Sequence, residues 1–162
     1  MRCGAVFVGL FLPVGLMAPG FAQELALRSS TDTRIVLDLR RRQISVIRAG
    51  RRLGPGPVAI GDPQTPTPKG TFSIVSKQVN PVYLSTKGGQ RRKLVGPSSP
   101  IGDRYLGFHR DGRGEFGIHG TPWPHCVRSR AAVSRGCVRM LNAHIRELFD
   151  VVEVGTPLQI QG

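Results

Sequence analysis

The sequence predicts a mainly β fold with one short helix. Gly 21 and Pro 13 among 162 residues punctuate the chain with turns, which favours short strands over long helices. Short apolar runs alternate with polar residues at period two along much of the chain. Helical period is convincing only late, where Met140, Leu141, Ile145, Leu148 and Phe149 fall on one face.

A chain of this length holds one domain with its own core, and a hydrophobic content of 40% excludes compositional disorder. Met1 and Arg2 precede an apolar run from Val6 to Met17, and Gly20 and Ala22 supply the small residues of a secretory cleavage site. Pro13 and Gly15 interrupt the run, which is too short to span a bilayer stably. Residues 1–22 therefore read as a signal peptide, residues 23–33 as a flexible segment and residues 34–162 as the domain. Export to the periplasm or cell envelope is the corresponding expectation. Cys3 precedes the apolar run, the wrong place for a lipid-modified mature N-terminus.

Arg34–Leu39 reads as a strand, Arg40–Arg42 as a basic turn and Gln43–Arg48 as a second strand, together a hairpin. Ala49–Arg52 is the next turn and Pro57–Gly61 a third strand. Thr65-Pro66-Thr67-Pro68-Lys69-Gly70 predicts a stiff extended loop, because each proline fixes its own φ and keeps the preceding residue out of the helical region. Gly70–Lys77 alternates as a strand. The polar, basic stretch from Asn80 to about Gly102 reads as an excursion or lid with weak hairpin structure at best. Tyr105–His109 and Glu115–His119 flank the turn Arg110–Gly114, giving a hairpin whose second strand delivers His119. Residues 121–133 read as a Pro- and Arg-rich loop. Asn142 is the expected N-cap of the single helix, Gly155–Pro157 a turn and Leu158–Ile160 a closing strand.

The net charge is +13, or +12 once Arg2 departs with residues 1–22. Arg40–Arg42, Arg51-Arg52 and Arg91-Arg92-Lys93 concentrate it. Taken singly each cluster reads as a solvated turn; together they favour an acidic partner. Export and the absence of a nucleic-acid motif argue against nucleic acid. An anionic cell-wall polymer or membrane surface fits better.

Ser134-Arg135-Gly136-Cys137-Val138-Arg139-Met140 carries the chemistry. A thiol and an imidazole brought together by folding make a nucleophile and a base, and His119 lies eighteen residues before Cys137. Arginines two positions to either side of the cysteine make its surroundings positive, which favours thiolate. Gly136 opens the approach face and lets backbone N–H groups point at a tetrahedral oxyanion. A cysteine and a distant histidine, taken alone, read as an inert buried pair. Cys126 and Cys137 could form a disulfide in an oxidising compartment, or Cys126 could be incidental. His109 could line the cleft or sit half-buried in its strand, and His144 reads as helix surface. His125 and Cys126, even with His119 and Cys137, lack metal-site spacing, so no metal is expected.

Ile118-His119-Gly120-Thr121 together with Ser134–Met140 resembles the signature of L,D-transpeptidase catalytic domains, the YkuD-type family. Thr67-Pro68-Lys69-Gly70-Thr71-Phe72 resembles that family's entry into a strand. Asn80-Pro81, Leu148-Phe149-Asp150 and Val154-Gly155-Thr156-Pro157-Leu158 resemble further segments. The likeness covers roughly residues 34–160.

The resemblance implies two packed mixed sheets, a β-sandwich-like fold with the helix after the cysteine and a cleft at the cysteine loop. It implies Cys137 as nucleophile and His119 as base, oriented by the carbonyl of Gly120. Backbone N–H groups around Gly136 and Cys137 would form the oxyanion hole. Ser134 occupies a Ser/Thr position of the motif, and Arg139 would hold substrate or loop. Arg135 stands where many members carry histidine; it would raise thiolate content or bind a substrate carboxylate. The implied substrates are peptidoglycan stem peptides, handled by a monomer without cofactor, with carbapenem-type acylation of Cys137. The acyl acceptor could be an amine, water or a protein lysine. The contrasting expectation is a non-catalytic, cationic wall-binding domain with a Cys126–Cys137 disulfide.

Overall fold

A computed structural model describes residues 33–162. The proposed signal peptide, Cys3 and most of the expected flexible segment lie outside the described residues. Two sheets share one core. The first has five strands in the order β3-β2-β1-β13-β5: β1 (Thr33–Asp38), β2 (Gln43–Arg48), β3 (Arg51–Pro57), β5 (Gly70–Ser73) and β13 (Pro157–Gln161). The second has four in the order β12-β10-β9-β6: β6 (Ser76–Val79), β9 (Arg104–Asp111), β10 (Gly114–His119) and β12 (Val138–Arg139). Both are mixed, since β1–β13 and β10–β12 run parallel while the other pairs within these two sheets are antiparallel.

Alternation places the core. Ile35, Leu37, Ile44, Val46, Leu158 and Ile160 from the first sheet join Leu106, Phe108, Phe116, Ile118 and Val138 from the second in one buried cluster. Each such side chain contributes about 1.5–3 kcal/mol on removal from water. Helix α2 (Asn142–Val151) adds Ile145 and Leu148. Two minor pairs complete the strands: β4 (Ile60–Gly61) with β11 (Ala132–Ser134), and β7 (Tyr83–Ser85) with β8 (Arg92–Leu94). The last is the weak hairpin expected within residues 80–102, with a 3₁₀ turn at Lys87–Gly89 between its strands. Among the described residues no helix is long and apolar enough to cross a membrane.

Four local expectations are corrected. A second helix, α1 (Pro124–Arg128), interrupts the expected 121–133 loop, with proline in its first turn, where the missing N–H costs nothing. Strand β3 begins at Arg51, inside the expected Ala49–Arg52 turn, and ends at Pro57, so that the third strand expected over Pro57–Gly61 is reduced to β4; β3 lies at the open edge of the five-stranded sheet, and an edge tolerates the prolines that a central strand excludes. The single strand expected over 70–77 is two strands in different sheets, β5 and β6, with the buried Ile74 at the crossing. Asn142 is the first helical residue, not the N-cap, which is Leu141. The Asn142 amide instead donates to the carbonyl of Pro97 at 3.1 Å, tying the 80–102 excursion to the helix.

Candidate active site

Strand β10 carries Glu115, Gly117 and His119 at alternate positions alongside the cysteine loop. Its antiparallel partner β9 sets Arg110 opposite Glu115, Gly107 opposite Gly117 and Tyr105 opposite His119, with a register shift between Phe116 and Gly117. On its other side β10 pairs in parallel with β12, placing Val138 beside Ile118 and Arg139 beside His119. Cys137 thus enters the site immediately before a strand paired to the one that carries the histidine. Met140 extends the pairing, its N–H donating to the His119 carbonyl at 2.9 Å.

His119 is 3% exposed. Its Nδ1 lies 2.6 Å from the carbonyl oxygen of Gly120. A carbonyl can only accept, so the Nδ1 proton is donated there and Nε2 keeps its lone pair. The Tyr105 ring stacks on the imidazole, centroids 6.0 Å apart and planes 11° apart. Burial pulls the His119 pKa down to about 4; the Gly120 contact opposes this and the Arg139 charge reinforces it. The imidazole is neutral at pH 7.

Burial also dominates the thiol, pushing the Cys137 pKa above its ordinary value. A backbone hydrogen bond from Gly117 and the Arg139 charge pull it down, and Glu115 pushes it up. Sγ lies 3.8 Å from the Glu115 carbonyl oxygen. The flanking arginines therefore do not yield the lowered thiol that the sequence suggests, because desolvation outweighs them. They also differ from each other. Arg139 acts on both Cys137 and His119, and its guanidinium lies 5.5 Å from the Trp123 ring centre. Arg135 is exposed. Its charge is the least of the influences that hold the Asp62 carboxyl low, after hydrogen bonds from Thr65.

The loop around the cysteine is held from behind. Ser134 Oγ donates to the Cys137 carbonyl at 2.5 Å and accepts the Gly136 N–H at 3.2 Å. The Ser134 carbonyl accepts the Asp62 N–H at 2.9 Å, fastening the proline-rich loop beneath. Gly136 has φ +102°, and a Cβ there would collide with the Phe116 ring. Only glycine combines that conformation with that packing. Gly117 is equally constrained, because the Tyr105 ring fills the space a side chain would take.

Cys126 and Cys137 are free thiols, contrary to the disulfide alternative. Cys126 belongs to α1, whereas Cys137 is held against β10. His109 packs between Phe72 and Phe116, with ring centroids at 5.2 and 5.6 Å. His125 is in α1, and His144 in α2 faces a separate pocket of about 400 Å³ beside Leu53, Met140 and Leu148. Among the described residues no cluster of three or more His, Cys, Asp or Glu could hold a metal ion. Tyr105, Glu115 and Trp123 escape the sequence reading. Their only signal was proximity: a Tyr opposite the histidine in the expected hairpin, a Glu two positions before Gly117, and a Trp four positions after the histidine.

A family model for the L,D-transpeptidase catalytic domain, YkuD, matches residues 32–160. YqjB of Bacillus subtilis, assigned as an L,D-transpeptidase, is 35% identical over 134 residues, covering 80% of this chain and 71% of that protein. L,D-transpeptidase 1 of Mycobacterium tuberculosis is 30% identical over 122 residues, covering 73% of this chain and 46% of its own length. The crystal structure of an Enterococcus faecium L,D-transpeptidase, a cysteine-to-serine mutant, superposes with TM-score 0.61 at 25% identity, covering 80% of this chain and 49% of that one. The chain belongs to the L,D-transpeptidase catalytic domain family. It spans about half the length of several of its relatives.

Proposed function

We propose that this protein is an exported cysteine L,D-transpeptidase acting on peptidoglycan stem peptides in the periplasm or cell envelope. Cys137 attacks the carbonyl of the meso-diaminopimelate residue that precedes the terminal D-alanine. His119 Nε2 takes the thiol proton as the C–S bond forms and returns it to the departing amine, so D-alanine leaves and a thioester remains. Backbone N–H groups around Gly136 and Cys137 stabilise the oxyanion. An amine of a second stem then attacks the thioester, its nitrogen bonds to the carbonyl carbon, and sulfur leaves with the proton, giving a 3-3 cross-link.

The observation that carries this reading is the parallel pairing of β10 with β12, which joins the histidine strand to the cysteine loop. Family membership supports the reaction class, and the net charge, +13 for the whole chain and +12 without Arg2, suits an acidic polymer. The buried, neutral His119 suits a general base, because a base must hold its lone pair at working pH. No cofactor enters these steps.

Incubation of the mature protein with tetrapeptide-containing muropeptides, followed by mass spectrometry of the products, tests the proposal. The expected products are free D-alanine and 3-3 dimers, absent with Cys137→Ala. Shortened stems without dimers would replace the amine acceptor by water. Unaltered muropeptides would overturn the assignment.

A further inference from the structure

The chain has only 10 acidic residues against 23 Lys and Arg, yet one of the acids stands at the nucleophile. Glu115 lies on β10 two residues before Gly117 and four before His119, on the same face as both. Its backbone carbonyl is 3.8 Å from Cys137 Sγ, and its side chain is 30% exposed. Oε1 turns inward over β9, where a Cβ on Gly107 would come within 2.8 Å of it. The buried Tyr105 phenol neighbours the same carboxylate and the thiol. Oε2 pairs with Arg110 Nη2 at 2.7 Å, but the arginine side chain is 76% exposed, and such surface pairs contribute little and exchange readily.

A carboxylate at this place works against the attacking thiolate. For the first half-reaction it is a liability. In the second half-reaction the thiolate charge is gone, held in the thioester, and the incoming amine arrives as an ammonium ion. We propose that Glu115 is the acceptor-recognition residue, its carboxylate capturing the ammonium of the incoming amine beside the Cys137 thioester. This rests on the acyl-transfer reading above and names what that reading leaves open, the chemistry that favours an amine over water.

The ammonium takes the place of Arg110 at the carboxylate and releases one proton to solvent past its partly exposed side chain. The neutral amine then attacks: the C–N bond forms, the C–S bond breaks, and the amine's second proton passes through His119 to sulfur. Thioester and ammonium thus become amide, thiol and one solvent proton.

The test compares two nucleophiles within each variant, so that general damage cancels. Mature protein is acylated with a tetrapeptide muropeptide. The thioester is then resolved by Nα-acetyl-lysine amide, whose ε-amine is an ammonium at pH 7.5, or by hydroxylamine, neutral at that pH. In Glu115→Gln the ratio of lysine-derivative to hydroxylamine rates falls about tenfold, the scale of one charge-assisted contact. Glu115→Asp keeps most of the ratio, and Arg110→Gln keeps or raises it. An unchanged ratio in Glu115→Gln, or equal losses in Gln and Asp variants, overturns the inference while leaving the thioester reading intact. Failure of the wild-type protein to form the thioester overturns both.

Discussion

His119 and Arg139 lie directly opposite one another across the parallel β10–β12 pair. Burial is the larger influence on the imidazole and on the Cys137 thiol, but the Arg139 charge acts on both and lowers the pKa of each. Replacing it by a shorter neutral chain should lower the reactivity of the thiol. Arg139→Met is expected to reduce iodoacetamide alkylation of Cys137 at pH 7.5 by up to about tenfold, because a smaller fraction of the thiol ionises once that charge is gone. Its contact with Trp123, roughly 0.5–1 kcal/mol for an exposed cation–π pair, is lost as well. An unchanged alkylation rate would mean the guanidinium charge does not reach the sulfur.

A raised thiol next to a depressed imidazole makes a neutral resting pair, not a thiolate–imidazolium pair. The pH–rate profile of Cys137 alkylation should therefore climb as a single step into the alkaline range, above the roughly 8.5 of a free cysteine. A reactive plateau extending down to pH 5–6 would indicate an ion pair and contradict this electrostatic account.

The same burial ties stability to pH. The His119 pKa is about 4 in the folded protein against 6.5 unfolded, so between those values the unfolded chain binds the extra proton. Stability is complete above pH 6.5 and falls as pH drops towards 4, by roughly 3 kcal/mol from this residue. Urea melts from pH 7 to pH 4.5 should be flatter for His119→Gln than for wild type. Parallel curves would show that another group sets the acid sensitivity.

Gly136 occupies a backbone conformation, φ +102°, and a contact with Phe116 that no side chain tolerates. Gly136→Ala should cost about 1–3 kcal/mol in chemical denaturation and abolish thioester formation by displacing the Cys137 N–H. A variant with wild-type acylation would remove the backbone oxyanion hole from the account.

The β9–β10 hairpin, the Thr65–Gly70 loop, the helix after Cys137 and the closing strand were legible in the sequence because local signals and tertiary packing agree there. The misread elements lie where packing overrides local signal. Ala49–Arg52 reads as a turn and Pro57–Gly61 as a strand, yet the strand runs from Arg51 to Pro57 along a sheet edge that does not need every N–H. Gly70–Lys77 alternates without a break, and only the presence of two sheets forces it to cross between them at Ile74. The positions of His119 and Cys137 could be found from their motifs. The height of the thiol pKa could not, since it follows from burial, which the arginine-rich flanks of the cysteine obscure. Glu115 and Tyr105 acquire meaning only once the register sets them beside the sulfur.

A thioester on one sulfur defines the proposed reaction, and intact-protein mass spectrometry after incubation with a tetrapeptide muropeptide detects it. The expected mass increase equals the donor less D-alanine, located at Cys137 by peptide mapping and absent in Cys137→Ala. No adduct on a folded protein with a titratable Cys137 thiol, or an adduct on Cys126, would contradict it.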